Sequence, residues 1–248
     1  MNGNRPTTGF VMIILLLMLA LGVSAWISLG ITTRDRWPIR WLEVQGRFDR
    51  VSAEQLRASL APLTKTSFFT LDLDALKTSA SRNPWVSGVR VEKRWPDTVL
   101  VTIEEFRPIA HWNDDELVSD KGETFQVPEA EGLQGLPWLE GEDQRFDEIL
   151  MRWNEYNLAL ATHGLEISRL KQDKRGSWEM TLDNGTTIQI GRDATEARLA
   201  RLLDSWPVLL NGQEVPPRSV DLRYTNGIAV NWYQPGEPET SQEQSTES

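Results

Sequence analysis

Residues 83–112 read NPWVSGVRVEKRWPDTVLVTIEEFRPIAHW. Asn83-Pro84 closes whatever precedes it, because a residue before proline is pushed towards extended geometry. Past the proline the side chains alternate. Val89 and Val91 stand against Arg90 and Glu92, and Val99, Val101 and Ile103 stand against Leu100, Thr102 and Glu104. A period of two is the signature of a strand with one buried face. Two strands are therefore expected, at 85–94 and 98–106, joined through the turn Trp95-Pro96-Asp97.

Working towards the N-terminus, residues 39–44 are a strand candidate that stops at Gly46. Ser52-Ala53-Glu54-Gln55 is a capping box, with the serine hydroxyl and the glutamine placed to satisfy orphan backbone donors. The helix it opens carries Leu56 and Leu60 one turn apart. Phe68, Phe69 and Leu71 make an apolar loop, and Asp72 caps a second helix with Leu73, Leu76 and Ala80 on one face. The order is β-α-α-β-β over residues 37–107, enough for two layers around one core.

Residues 10–31, FVMIILLLMLALGVSAWISLGI, contain no charge. At a rise of about 1.5 Å per residue the run spans about 33 Å, close to a bilayer core of about 30 Å. The expectation is a single transmembrane helix after a short cytoplasmic tail at 1–9, with Trp26 and Trp37 at its outer interface. Val23-Ser24-Ala25 also fits a signal-peptidase site, so a cleaved secretory signal is the competing reading. Both readings put the remaining chain outside the cytoplasm.

Towards the C-terminus a strand-rich domain is expected over 108–233. Asp120-Lys121-Gly122 is a turn between short strands. Residues 143–163 form an amphipathic helix through Phe146, Ile149, Leu150, Trp153, Tyr156 and Leu160. Strands follow at 165–170, 178–182 and 187–190, the last two joined at Asn184-Gly185. Residues 195–210 form a second helix, which Pro207 should kink or shorten. A final hairpin pairs 220–224 with 228–232 across a type I′ turn at Asn226-Gly227. The acidic tail 234–248 has nothing to bury and should be disordered. The class is α+β: an N-terminal membrane helix, a small β-α-α-β-β domain and a mixed sheet domain with two helices.

Composition narrows the function. The net charge of −10 lacks the cationic face that phosphate binding needs, which argues against nucleic acid. With no cysteine there is no disulfide framework, thiolate nucleophile or cysteine-held metal. The two histidines show no ligand spacing. His111 reads as an interdomain surface residue and His163 as a helix C-terminal one. Glu104 and Glu105 are adjacent on a strand and so point to opposite faces. No nucleophile elbow or phosphate loop is present. The expectation is a protein without catalytic residues, metal or cofactor.

The strand–helix–helix–hairpin order is that of a POTRA domain, and the stretch at 83–112 resembles the signature of the FtsQ/DivIB cell-division family. LVSDKGETF from Leu117, GRDATEARLARLLDSWPVL from Gly191 and VDLRYTNGIAVNW from Val220 resemble it too. The resemblance implies a non-catalytic, bitopic inner-membrane scaffold of the divisome. It would be single-pass and type II, with its bulk in the periplasm, concentrated at the septum. It also implies that the distal domain binds the FtsB–FtsL complex by strand addition, and that the POTRA domain answers to upstream components such as FtsK. Two other readings share features of the chain: a POTRA-bearing envelope assembly or secretion factor, and a membrane-anchored envelope enzyme.

The residues themselves point to the last hairpin as the docking element. No strand is expected beyond 228–232, so its outer side would offer unpaired backbone groups. Tyr224 and Trp232 are interface types that also serve cores, and Arg175 could supply a bidentate contact or stand as a solvated charge. By resemblance Asn226 and Gly227 join this site, as does Asn231, which stands where relatives often carry glycine. On the POTRA side Val91 and Lys93 are the positions implied for recruitment, although Val89 and Val91 suit packing against the helices.

Overall fold

The computed structural model describes residues 8–32, 37–213, 215–225 and 227–233. Asn226 and the expected tail at 234–248 lie outside them. The chain divides after Phe106 into two compact units.

In the first unit, α1 (Thr8–Thr32) is apolar around its whole circumference, and its side chains from Gly9 to Ile27 are exposed. A helix with no polar face gains nothing by lying on a water-facing surface. Among the described residues it is the one helix long and apolar enough to cross a membrane.

The remainder follows the expected order: β1 (Trp41–Gly46), α2 (Ala53–Leu60), α3 (Leu73–Ala80), β2 (Val86–Arg94) and β3 (Thr98–Glu105). β3 is central, parallel to β1 and antiparallel to β2. Ser52 Oγ accepts the Gln55 amide at 3.3 Å, and Asp72 Oδ1 accepts those of Asp74 and Ala75 at 3.0 Å. Leu56 and Leu60 of α2 and Leu76 and Ala80 of α3 bury against Val99, Val101 and Ile103. Glu105, at the end of β3, does what periodicity could not announce. Its carboxylate accepts the amides of Asp49, Arg50 and Val51 at 3.2, 2.9 and 3.0 Å, fastening the loop between β1 and α2.

The second unit is one nine-stranded mixed sheet with two helices. Its elements are β4 (Pro108–Trp112), β5 (Glu116–Ser119), β6 (Thr124–Gln126), β7 (Trp138–Glu140), α4 (Phe146–Ala161), β8 (Ile167–Gln172), β9 (Trp178–Leu182), β10 (Thr187–Gly191), α5 (Thr195–Leu210), β11 (Ser219–Asp221) and β12 (Ala229–Asn231). They lie in the order β12-β11-β10-β9-β8-β7-β4-β5-β6. Ile149, Tyr156 and Leu160 of α4 and Leu199, Leu202, Leu203 and Trp206 of α5 share one core with Leu139, Leu170, Trp178, Met180, Ile188 and Val220 of the sheet.

Three expectations change. Helix α5 runs to Leu210 through Pro207, which sits in the last turn and costs only one bond, to the Leu203 carbonyl. His111 is not an interdomain surface residue. It is buried in β4, its Nε2 2.9 Å from the Leu133 carbonyl and its ring stacked on Trp138 at 4.0 Å. The final hairpin is not in the register expected for a two-residue turn at Asn226-Gly227, of which Asn226 lies outside the described residues: Ser219, Val220 and Asp221 pair with Asn231, Val230 and Ala229.

Glu105→Ala removes three charge-assisted hydrogen bonds while leaving the apolar core intact. It is expected to destabilise the first unit by about 2 kcal/mol, read as a shifted midpoint in urea denaturation followed by tryptophan fluorescence.

A candidate docking edge

β12 is the outermost strand of its sheet, and among the described residues nothing pairs with its far side. Residues 224–233 read YTNGIAVNWY, ten positions without a charge in a chain that is 25% charged. An uncharged edge lacks the common protection against pairing with another strand.

The approach to this edge is fixed from behind by α5. The Leu222 amide donates to the Gln189 carbonyl at 2.9 Å, carrying the sheet one residue past β11. There the chain meets two arginines one helical turn apart. Arg198 Nη1 donates to the Ile190 carbonyl at 2.7 Å and its Nη2 to that of Arg223 at 3.4 Å. Arg201 Nη1 donates to the carbonyls of Thr225 and Tyr224, at 2.9 and 3.4 Å. Arg223 turns back onto Asp221, with Nε 2.9 Å from Oδ1 and Nη2 2.7 Å from Oδ2. That guanidinium holds the Asp221 carboxyl below the usual carboxylate range. The carbonyls of Arg223, Tyr224 and Thr225 are thus met by α5 rather than by β12, and the ladder resumes only at Asp221↔Ala229.

Gly191 makes this arrangement possible. Its φ is +83°, and a Cβ there would lie 2.7 Å from Arg198 Nη1 and 3.0 Å from Arg223 Cγ. Neither Gly191 nor the arginine pair was singled out in the sequence. The available signal was Arg198 and Arg201 at i and i+3, on the flank of a helix whose other face is leucine and tryptophan.

The expected site residues divide into three groups. Tyr224 is 60% exposed and outside the core, and Trp232 is half-buried at the other end of β12. Asn231 is exposed, and Gly227 is half-buried with open space where a Cβ would be. Tyr224, Thr225, Gly227, Ile228 and Ala229 line an open depression of about 450 Å³. These residues are brought together, while Asn226 lies outside the described residues.

Arg175 is exposed in the turn between β8 and β9, braced by Asp173 Oδ1, which accepts the amides of Arg175 and Ser177 at 2.8 Å. Trp178 at the start of β9 pairs with Gly191 at the end of β10, so this turn and the Arg223–Tyr224 segment share one end of the sheet. Next to Gly176, Arg145 and Arg192 also approach, within 3.2 and 3.7 Å of a would-be Cβ. An arginine-rich rim forms there from segments distant in sequence.

Val91 and Lys93 stand apart, on the outer strand β2 of the first unit. Val91 packs on that core. Lys93 Nζ donates to the Phe69 carbonyl at 3.3 Å and lies over the Phe68 ring. Burial pushes its pKa down.

No group of three or more His, Cys, Asp or Glu side chains among the described residues is placed to hold a metal. The other displaced titrations have structural causes. A backbone hydrogen bond of its own, followed by the Arg152 bond, draws Glu196 down, and burial pushes the Tyr156 hydroxyl up.

Comparison with known proteins agrees with this architecture. Residues 37–106 match the family model "POTRA domain, FtsQ-type", and residues 110–223 match "Cell division protein FtsQ/DivIB, C-terminal". The cell division protein FtsQ of Xanthomonas campestris pv. campestris is 40% identical over 213 residues, covering 86% of this chain and 76% of the relative. That of Allochromatium vinosum is 37% identical over 222 residues, 88% and 86% of the two chains. FtsQ of Escherichia coli strain K12 is 34% identical over 254 residues, 100% and 91% of the two chains.

Gly191→Ala forces a side chain into left-handed backbone and into the arginines. It is expected to cost about 2 kcal/mol and to lower amide-exchange protection across 222–225. Arg201→Ala should shift the melting temperature by no more than about 2 °C, while releasing the same segment in hydrogen-exchange mass spectrometry.

Proposed function

Since the chain belongs to the FtsQ/DivIB family of cell-division proteins, we propose that it is a non-catalytic scaffold of the division machinery, held in the inner membrane by α1 with its bulk in the periplasm at the septum. Its second unit binds the FtsB–FtsL complex by accepting a partner strand along β12. The observation that carries this reading is the open, uncharged margin of β12, with Tyr224 exposed at one end and Trp232 half-buried at the other.

The energetics support a composite site. β12 is three residues long, and each added backbone hydrogen bond contributes about 0.5–1.5 kcal/mol net. Strand pairing alone therefore falls short of the about 4–15 kcal/mol that association removes. Affinity must come from anchors at the ends. Tyr224 and Trp232 supply apolar area, and Arg175, with the neighbouring arginine rim, suits an acidic residue on the incoming segment. Asn226, Gly227 and Asn231 shape the surface between, and the open space at Gly227 admits close approach of a partner backbone. Val91 and Lys93 on β2 are the surface through which upstream components such as FtsK recruit the protein. The non-catalytic assignment draws support from the titrating groups, whose shifts are accounted for by ion pairs, backbone bonds and burial.

Co-purification with FtsB and FtsL tests the reading. Tyr224→Ala and Trp232→Ala are each expected to weaken binding by about 2 kcal/mol, roughly 30-fold in Kd, without lowering the melting temperature of the scaffold. Wild-type affinity in both folded variants would rule out β12 as the docking strand.

A further inference from the structure

At one end of the three-stranded sheet several segments of the first unit converge. β1 and β3 begin there and β2 ends there, because Trp41 and Arg94 flank Thr98 in register. The amides of Arg40 and Trp41 both donate to the Asp97 carbonyl, at 2.9 and 3.2 Å, tying the chain that enters β1 to the Trp95-Pro96-Asp97 turn. Pro38 bridges to Ser67, and the Trp37 ring stands edge-on to Phe69 at 5.4 Å.

Aromatic side chains at this end face solvent. Trp41 is 64% exposed, Trp95 71% and Phe69 45%. Across 37–41, 67–69 and 93–98 the charged residues are Arg40, Lys93, Arg94 and Asp97, three cations against one carboxylate in a chain of net charge −10. Arg40 approaches Asp97 at 3.9 Å, yet its side chain remains 70% exposed. This is also the end at which the chain arrives from the apolar helix. α1 ends at Thr32, and the five steps from there to Trp37 can reach no more than about 18 Å.

We propose that this end of the first unit is a membrane-docking surface. Trp41, Trp95 and Phe69 enter the interfacial layer of the bilayer that α1 crosses, and Arg40 and Arg94 engage anionic phospholipid headgroups. The proposal rests on the membrane-anchor part of the function above and is independent of the docking edge. Tryptophan favours the headgroup depth, where its ring is half in hydrocarbon and its N–H is hydrated. Cations are drawn to anionic lipid within a Debye length. A tether this short keeps the local concentration of lipid high, so a weak contact suffices to hold the domain down.

The chain has no cysteine, so single labels carry no background. The full chain would be reconstituted in nanodiscs of brominated lipid containing phosphatidylglycerol, with a fluorophore on Trp41→Cys, Trp95→Cys, Arg94→Cys, Ser81→Cys or Ser24→Cys. Arg94→Cys leaves both exposed tryptophans in place. Ser81 lies just after α3 and away from this end, and Ser24 lies inside α1. Quenching at 41, 94 and 95 is expected to exceed that at 81 by about threefold, and to fall by about half when phosphatidylcholine replaces phosphatidylglycerol or salt is raised. Quenching at 41, 94 and 95 no greater than at 81, with Ser24 strongly quenched, overturns the docking while leaving the anchor standing. An unquenched Ser24 overturns the anchor and the docking with it.

Discussion

An open sheet has two margins, and the backbone groups along each must be met by water, by a covering element or by another chain. That constraint organises this protein. The first unit ends its sheet on β2, nine residues long, and protects that margin with Arg90, Glu92, Lys93 and Arg94 and with a register shift between Val86 and Gly88. In the second unit one margin is β6, three residues flanked by Glu123 and, two positions beyond its end, Pro128. The other is β12, where the chain carries no charge from Tyr224 to Tyr233. Of these three margins β12 alone carries neither a charge nor a nearby proline to discourage pairing. It is short enough to stay soluble and bare enough to accept a strand.

What the sequence conveyed and what it withheld follow from the range of the interactions. Alternation at Val89–Val91 and Val99–Ile103, and the leucine spacing of α2, α3, α4 and α5, are local signals of burial on one face, and each led to the right element. β7 was invisible because three residues, Trp138–Glu140, are too few to show a period. Yet it lies mid-sheet, parallel to both β4 and β8. His111 seemed a surface residue because nothing near it in the chain announces Leu133 and Trp138, the two groups that enclose it.

The hairpin at the docking edge shows how a strong local signal can lose. Asn-Gly between two alternating stretches is a good two-residue turn, and the pairing of Val220 with Val230 confirms that the two stretches do meet. The ladder nevertheless follows another register, and the carbonyls of Arg223, Tyr224 and Thr225 are met by Arg198 and Arg201, more than twenty residues away. The left-handed, Cβ-free backbone of Gly191 leaves room for Arg198 and Arg223. The residues proposed for docking can be picked from the sequence by type and by place along the chain. The scaffold around them cannot, because its bonds are tertiary.

That scaffold bears on how a three-residue edge could hold a partner. A guest strand gains a few modest hydrogen bonds and must repay the freedom lost by both partners. If the 222–228 connection were loose, ordering it would consume the gain. Here two arginines and the Asp221–Arg223 pair hold residues 221–225 before any encounter. Exposed tyrosine and half-buried tryptophan at the two ends can then contribute their apolar area almost undiminished. If β12 docks a partner as proposed, its most sensitive position is not an interface residue but Gly191, where a Cβ would meet Arg198 and Arg223.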